Sequence, residues 1–157
     1  MSADPLSELA YEAAIRALDL QERAVEQLRS RTGILLAAAS LTASFLGAQS
    51  IQRTGGFGVL NALALISMVA SISLSVYVLL PKSGFVFSLS GPGMYEQLYP
   101  FREDEAEVRR RLIYWLDGYW RTNQERIDRL GRYYLAATIA LMLQLVLWSW
   151  ALADTIS

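Results

Sequence analysis

Three long stretches without a charged side chain constrain this sequence most strongly. They cover residues 32–52, 57–80 and 133–153. A helix needs about 20 residues to cross the hydrocarbon core of a bilayer, which is about 30 Å thick. A helix buried inside a large soluble protein can also be apolar on every side, but a chain of 157 residues has too little other material to bury three of them. The stretches therefore predict three membrane-spanning helices, named here the first, second and third spans.

The basic residues indicate the orientation of the spans. Of the 14 basic residues, 13 lie before the first span or between the second and third, and only Arg53 lies in the short turn between the first two. Because basic residues concentrate on the cytoplasmic side, we expect a multi-pass protein of the inner (cytoplasmic) membrane, with its N-terminus in the cytoplasm and its C-terminus outside. Trp148 and Trp150, near the end of the third span, suit the outer aromatic belt. The use of 13 arginines and one lysine favours a GC-rich genome and hence a bacterial source.

The charged parts of the chain predict two long helices that continue directly into spans. Residues 4–31 begin with Asp4 and Pro5, a favourable helix start, and contain no glycine or further proline. Residues 103–132 follow Pro100 and begin with acidic residues, which favour the N-terminus of a helix. Apolar residues of the first helix recur every three or four positions, and this narrow stripe favours packing against another helix: Leu9, Ala13, Ala17, Leu20, Ala24 and Leu28.

Residues 82–102, between the second span and the second charged helix, predict an extended loop that returns along the helices, with a turn at Gly91, Pro92 and Gly93. A re-entrant segment at the inner membrane face is the alternative. The fold class that follows is an all-α membrane protein. It has three transmembrane helices and two long helices that extend into a cytoplasmic helical stalk. Residues 1–157 are expected to form a single domain.

The second charged helix carries a nearly regular heptad seam. Its members are Leu112, Leu116, Trp120, Asn123, Ile127 and Leu130. The polar member, Asn123, would set the register of the packing. The seam forms either a coiled coil between subunits of a homo-oligomer or a face packed on the first helix within one subunit, and the sequence leaves both interpretations open.

Small residues form stripes along two of the spans. The first span has Ala39, Ala43 and Gly47, and the second has Ser67, Ser71 and Ser75. Small residues let helices approach closely in lipid, so helix packing is one interpretation of both stripes. The other is that the three serines, together with Asn61 and Gln144, line a water-filled pore in an oligomer.

A second group of residues suggests anion or nucleotide contact. Its members are Arg109, Arg110, Arg111, Trp115 and Tyr119, in which guanidinium groups would bind phosphate and the aromatic rings would stack on a base. The alternative is a solvated helix face whose arginines pair with Glu105 and Glu107. A net charge of −1 gives no electrostatic case for a nucleic-acid partner.

The sequence shows no recognisable catalytic or metal-binding site. It contains neither histidine nor cysteine, so the usual general base and the thiol nucleophile are both absent. We find no catalytic residues, no metal-ligand spacing and no sign of a cofactor, and we expect a protein that is not an enzyme.

Two segments resemble a group of known families. They are LRSRTGILLAAASLTASFLG (residues 28–47), where a helix runs into the first span, and YWLDGYWRTNQERIDRLGRYYLAA (residues 114–137), where a helix runs into the third. Together with the tight turn between the first two spans, this layout resembles the membrane effectors of prokaryotic conflict systems, namely Pycsar-type transmembrane effectors and SLATT proteins.

The resemblance implies an oligomeric membrane-perturbing or pore-forming effector of antiviral defence, gated through its cytoplasmic helices. A cyclic nucleotide or a cytosolic sensor protein would supply the signal. The alternative function is a non-enzymatic membrane scaffold or adaptor that binds a cytosolic partner through its helical stalk.

Overall fold

The computed structural model describes residues 5–54, 58–81, 84–87, 91–101 and 104–154, and all the regular structure within them is helical. The elements are α1 (Pro5–Thr42), a π-helical turn (Ala43–Gly47), α2 (Ala48–Thr54), α3 (Val59–Leu79), α4 (Gly91–Leu98), a 3₁₀ turn (Tyr99–Phe101) and α5 (Glu105–Asp154). Leu6–Ser50, Val59–Leu79 and Glu105–Asp154 are long and apolar enough to cross a membrane. For the described residues, the predicted all-α fold class with three candidate spans is therefore confirmed.

Both charged helices continue into apolar segments without a break. α1 runs from Pro5 to Thr42 and α5 from Glu105 to Asp154, so each includes residues from a predicted charged helix and from a predicted span. Asp104 caps α5, because its Oδ1 accepts hydrogen bonds from the backbone N–H groups of Ala106 (3.1 Å) and Glu107 (3.2 Å). The acidic residues of the first turn then lie at the positive end of the helix dipole.

The extended loop predicted over residues 82–102 is largely helical instead. Only residues 84–87 lack regular structure among those described, while α4 and the 3₁₀ turn occupy residues 91–101. The predicted turn at Gly91, Pro92 and Gly93 is the start of α4, because proline is well tolerated in the first helical turn, where its missing N–H has no partner to lose. Residues 82, 83, 88–90 and 102 lie outside the described part of the chain.

The apolar stripe predicted for α1 is not its buried face. Leu9 and Leu20 are 64% and 65% exposed. The buried positions follow a heptad spacing and are Leu18, Gln21, Val25, Thr32, Leu35 and Ala39. This face was not recognised from the apolar pattern because one of its buried members, Gln21, is polar. Its Nε2 donates hydrogen bonds to the carbonyl oxygen of Trp120 and to Oε1 of Gln124, both at 3.0 Å, which offsets part of the cost of its burial. Its Oε1 has no partner among the described residues.

The chain, expected to be a single domain, groups into two compact units that share α1 and α5. The charged unit comprises Met1–Glu26 and Lys82–Asp128, and the apolar unit comprises Gln27–Pro81 and Arg129–Ser157. The charged unit contains nine basic and 14 acidic residues, whereas the apolar unit contains five arginines and a single acid, Asp154. The apolar unit carries all three predicted spans.

Candidate functional site

The core of the apolar unit is built from small and aliphatic residues on three helices. Leu35 and Ala39 of α1 cluster with Ala137 and Leu141 of α5, and Ile72 and Leu74 of α3 are among the residues that pack against this cluster. Ala39 and Ala137 are completely buried. Helices in lipid gain little from burying apolar surface, so close backbone approach at such small residues is a main source of their attraction.

The serine stripe of α3 lies inside this bundle within one chain. Ser67 is 7% exposed, and Ser71 and Ser75 are fully buried. The hydroxyl of Ser71 donates a hydrogen bond to the carbonyl oxygen of Ala137 on α5, at 3.0 Å. The Oγ atom of Ser75 has no hydrogen-bond partner among the described residues. Within a single chain, the stripe therefore contributes to helix packing.

Asn61 and Gln144 also connect helices of the apolar unit. Ser50 on α2 donates a hydrogen bond of 2.6 Å to Oδ1 of Asn61 on α3. Nε2 of Gln144 on α5 donates one of 3.3 Å to the carbonyl oxygen of Ala39 on α1, while its Oε1 has no partner in the described part of the chain. Both amide side chains are at most 1% exposed. The polar residues singled out in the spans thus lie between helices of the same chain.

Gly47, the last residue of the small stripe on the first span, lies against the Trp148 ring. A Cβ atom at Gly47 would lie 3.0 Å from Cζ2 of Trp148 and 3.3 Å from its Cη2. Trp148 is only 1% exposed, so it belongs to the packed interior and not to the aromatic belt proposed from the sequence, whereas Trp150 is 64% exposed. The small residues of this stripe are the sequence signal for the contact, because they leave space for a large side chain such as Trp148. Ala43, the middle residue of the same stripe, is half-buried and begins the π-helical turn.

The proposed anion cluster lies on α5 in the charged unit, and each of its arginines is paired with an acid. Arg109 binds Glu105 (2.9 Å), and Arg110 (2.6 Å) and Arg111 (2.8 Å) share Glu107. Arg111 also stacks 3.7 Å from the ring centroid of Phe101. Exposed pairs of this kind contribute roughly 0.2–1 kcal/mol each, so an anionic ligand could displace them.

The spacing of residues on α5 separates this cluster into two groups. Arg111, Trp115 and Tyr119 lie four residues apart and share a face, and both aromatic side chains are half-buried. Arg109 instead lines an open groove of about 430 Å³. The other residues of that groove are Glu8, Tyr11, Glu12, Glu105, Val108 and Leu112. Three acids against one arginine do not make an anion site, so this groove does not supply the anion or nucleotide contact predicted for Arg109.

The heptad seam of α5 includes buried and exposed members. Leu116, Asn123 and Leu130 are 2%, 1% and 2% exposed, Leu112 and Ile127 are half-buried, and Trp120 is 38% exposed. Asn123 holds a neighbouring segment of the same chain. Its Oδ1 accepts a hydrogen bond from the Val86 N–H (3.2 Å), and its Nδ2 donates one to the Val86 carbonyl oxygen (2.8 Å). This two-bond contact, the Asn123 clasp, could not be found from the seam pattern alone.

Comparisons with known proteins add no relative: no family model, curated protein or solved structure matches the chain. Among the described residues, no group of three acidic side chains is placed to hold a metal ion. In the described part of the chain, all regular structure is thus helical, and hydrogen bonds join the three candidate spans.

Proposed function

We propose that this protein is an oligomeric membrane effector, in which a rearrangement of the charged unit changes the packing of the spans and perturbs the bilayer. The observation that supports this most directly is the continuity of α1 and α5, each a single helix with residues in both units. Because a helix couples every residue to its neighbours by backbone hydrogen bonds, a displacement of either helix at one end is carried along its axis.

The contacts of the apolar unit suit a bundle that can adopt a second packing. Its helices are joined by single polar contacts such as Ser71 to Ala137 and Gln144 to Ala39. Three buried polar atoms of this unit, Oγ of Ser75, Oε1 of Gln144 and Nε of Arg29, have no partner among the described residues, which is unfavourable in a low-dielectric interior. The π-helical turn at Ala43–Gly47 is an irregularity frequently found at functional sites.

In this proposal the spans lie in the inner membrane of a bacterium, the charged unit lies in the cytoplasm and the C-terminus lies outside, as the distribution of arginines favours. The resemblance to conflict-system effectors supports a role in antiviral defence. The signal would be a cyclic nucleotide or a cytosolic sensor protein. The face formed by Arg111, Trp115 and Tyr119 is the first place to test for nucleotide binding.

The proposal predicts that the purified protein forms a defined oligomer and releases a self-quenched dye from liposomes, with cyclic nucleotides tested as activators. Ser71→Leu is expected to reduce release at least about tenfold, because a leucine cannot bond to the Ala137 carbonyl and would force α3 away from α5. Ser73→Leu is the matched control, since Ser73 lies on the same helix and is exposed. A tight monomer or dimer that leaks no dye under any signal would contradict the effector function.

Control through the charged unit can be tested with introduced cysteines, because the chain contains none of its own. Gln21→Cys combined with Gln124→Cys places one thiol on each helix, at residues whose longer amide side chains now meet at 3.0 Å. A thiol-reactive cross-linker with an internal disulfide can bridge the remaining gap between these shorter side chains. Linking them is expected to suppress dye release, and a reductant is expected to restore it. Glu22→Cys combined with Glu125→Cys, at exposed positions of the same helices, is the control. If the linked protein leaks as fast as the reduced one, the charged unit does not control the spans.

A membrane scaffold is the second candidate function, and the exposed leucines of α1 favour it. Leu9 and Leu20 leave apolar surface on the charged unit that a partner protein could cover. Such a scaffold would co-purify with a cytosolic protein and conduct nothing. Loss of that protein on changing Trp115 and Trp120 to alanine, without any dye release by the unaltered chain, would support the scaffold over the effector.

A further inference from the structure

Four arginines lie together at one end of the apolar unit. Ala39 contacts Gln144 and Gly47 contacts Trp148, so α1 and α5 run parallel there. Arg29 and Arg31 precede the core cluster on α1, and Arg129 and Arg132 precede it on α5. All four therefore lie roughly 6–12 Å along the helix axes from that cluster, on the same side of it. We call these four residues the arginine collar.

The end of α3 lies at the same level. Tyr77 of α3 and Tyr133 of α5 meet edge to face, with ring centroids 4.6 Å apart. Tyrosines favour the boundary between headgroups and hydrocarbon, and arginines at the edge of an apolar membrane-spanning segment extend toward headgroups. The collar is thus placed at a boundary between the apolar bundle and a polar layer.

No acid neutralises the collar from within the apolar unit. Its single acid, Asp154, follows Arg132 by 22 residues, which is about 33 Å along a helix. None of the four arginines makes an ion pair among the described residues, and Nε of Arg29 is buried without a partner. In the charged unit, by contrast, five arginines pair with an acid.

We infer that the arginine collar binds the phosphate groups of anionic phospholipids. Guanidinium groups bind phosphate oxygens in a fork geometry, and four arginines without an ion pair among the described residues favour a headgroup that retains a net negative charge. Arg29 and Arg31 project from nearly opposite sides of α1, so the collar contacts several headgroups and is not a single enclosed pocket. The inference rests on the insertion of the apolar unit in a bilayer and is independent of any leakage.

Lipid retention by the full chain tests this assignment. The detergent-solubilised protein is mixed with equal amounts of phosphatidylglycerol and phosphatidylcholine, free lipid is removed by gel filtration, and retained lipid is measured by mass spectrometry. The unaltered protein is expected to retain phosphatidylglycerol about fivefold over phosphatidylcholine. Arg29→Gln with Arg132→Gln is expected to bring the ratio close to one. Arg16→Gln with Arg121→Gln removes the same charge from exposed pairs of the charged unit and is expected to leave the ratio unchanged.

Several results would contradict the assignment of the arginine collar to anionic phospholipids. An unaltered protein without preference, or an equal loss in the Arg16 and Arg121 variant, would show that no specific headgroup site exists. Displacement of phosphatidylglycerol by millimolar inorganic phosphate would assign the site to free phosphate. Arg29→Lys with Arg132→Lys serves if the glutamine variant loses its helical circular dichroism, and it is expected to keep a reduced preference because charge remains without the fork. A protein that keeps the preference but releases no dye would leave the collar intact and contradict only the effector function.

Discussion

Gly47→Leu is expected to lower the stability of the apolar unit by about 3 kcal/mol, because overpacking a well-filled interior forces neighbours out of position. A Cβ at this position already lies 3.0 Å from the Trp148 ring, and leucine adds three further carbons in the same direction. Trp148 is 1% exposed and held on α5, so it has little space into which it could move. The measurement is the thermal unfolding of the purified protein in detergent, followed by circular dichroism.

Gly33→Leu provides the matched control for this substitution. Gly33 lies on α1 and is exposed, and a Cβ atom added there would meet no other atom within 4 Å. Leucine favours a helix over glycine by about 0.8 kcal/mol, so this variant is expected to melt at or above the temperature of the unaltered protein. Trp148→Ala combined with Gly47→Leu should recover part of the loss, since the leucine side chain would occupy space vacated by the indole. Equal destabilisation by both leucine variants would disprove the close contact.

The helices could be predicted from the sequence because their signals are local. The uncharged stretches and the absence of glycine and proline between Pro5 and Arg31 required no knowledge of distant residues. The error over residues 82–102 has a different origin. Glycine and proline at residues 91–93 suggested a turn, but the same residues are compatible with the first turn of a helix, and only the following chain decides between them.

Packing between distant parts of the chain could not be predicted. Gln21 is buried because its amide meets Trp120 and Gln124, about a hundred residues later in the chain. The spacing of apolar residues alone selected Leu20 as the packed neighbour, although Leu20 is 65% exposed. The three serines of the second span show the same limit. Their spacing indicated a shared face, but only the bond from Ser71 to Ala137 places that face against α5.

Asn123→Leu is expected to destabilise the charged unit by about 2 kcal/mol. The substitution removes both hydrogen bonds to Val86 and leaves that residue's N–H and carbonyl groups without their side-chain partner. It also releases the segment 84–87, in which Gly84 adopts a φ of 112° that residues with a side chain rarely reach. Faster chymotrypsin cleavage after Phe85 and Phe87 would report this release directly, because the protease cuts after aromatic residues in accessible chain segments.

Thr122→Leu separates the clasp from a general effect of leucine on α5. Thr122 is exposed, and the one hydrogen bond of its hydroxyl among the described residues is to the Gly118 carbonyl within the same helix (3.0 Å). This variant should therefore be cleaved at the rate of the unaltered protein. Asn123→Asp should fall between the two, because an ionised carboxylate can accept from the Val86 N–H but cannot donate to the Val86 carbonyl oxygen. If Asn123→Leu is cleaved no faster than Thr122→Leu, the segment is held by contacts other than the clasp.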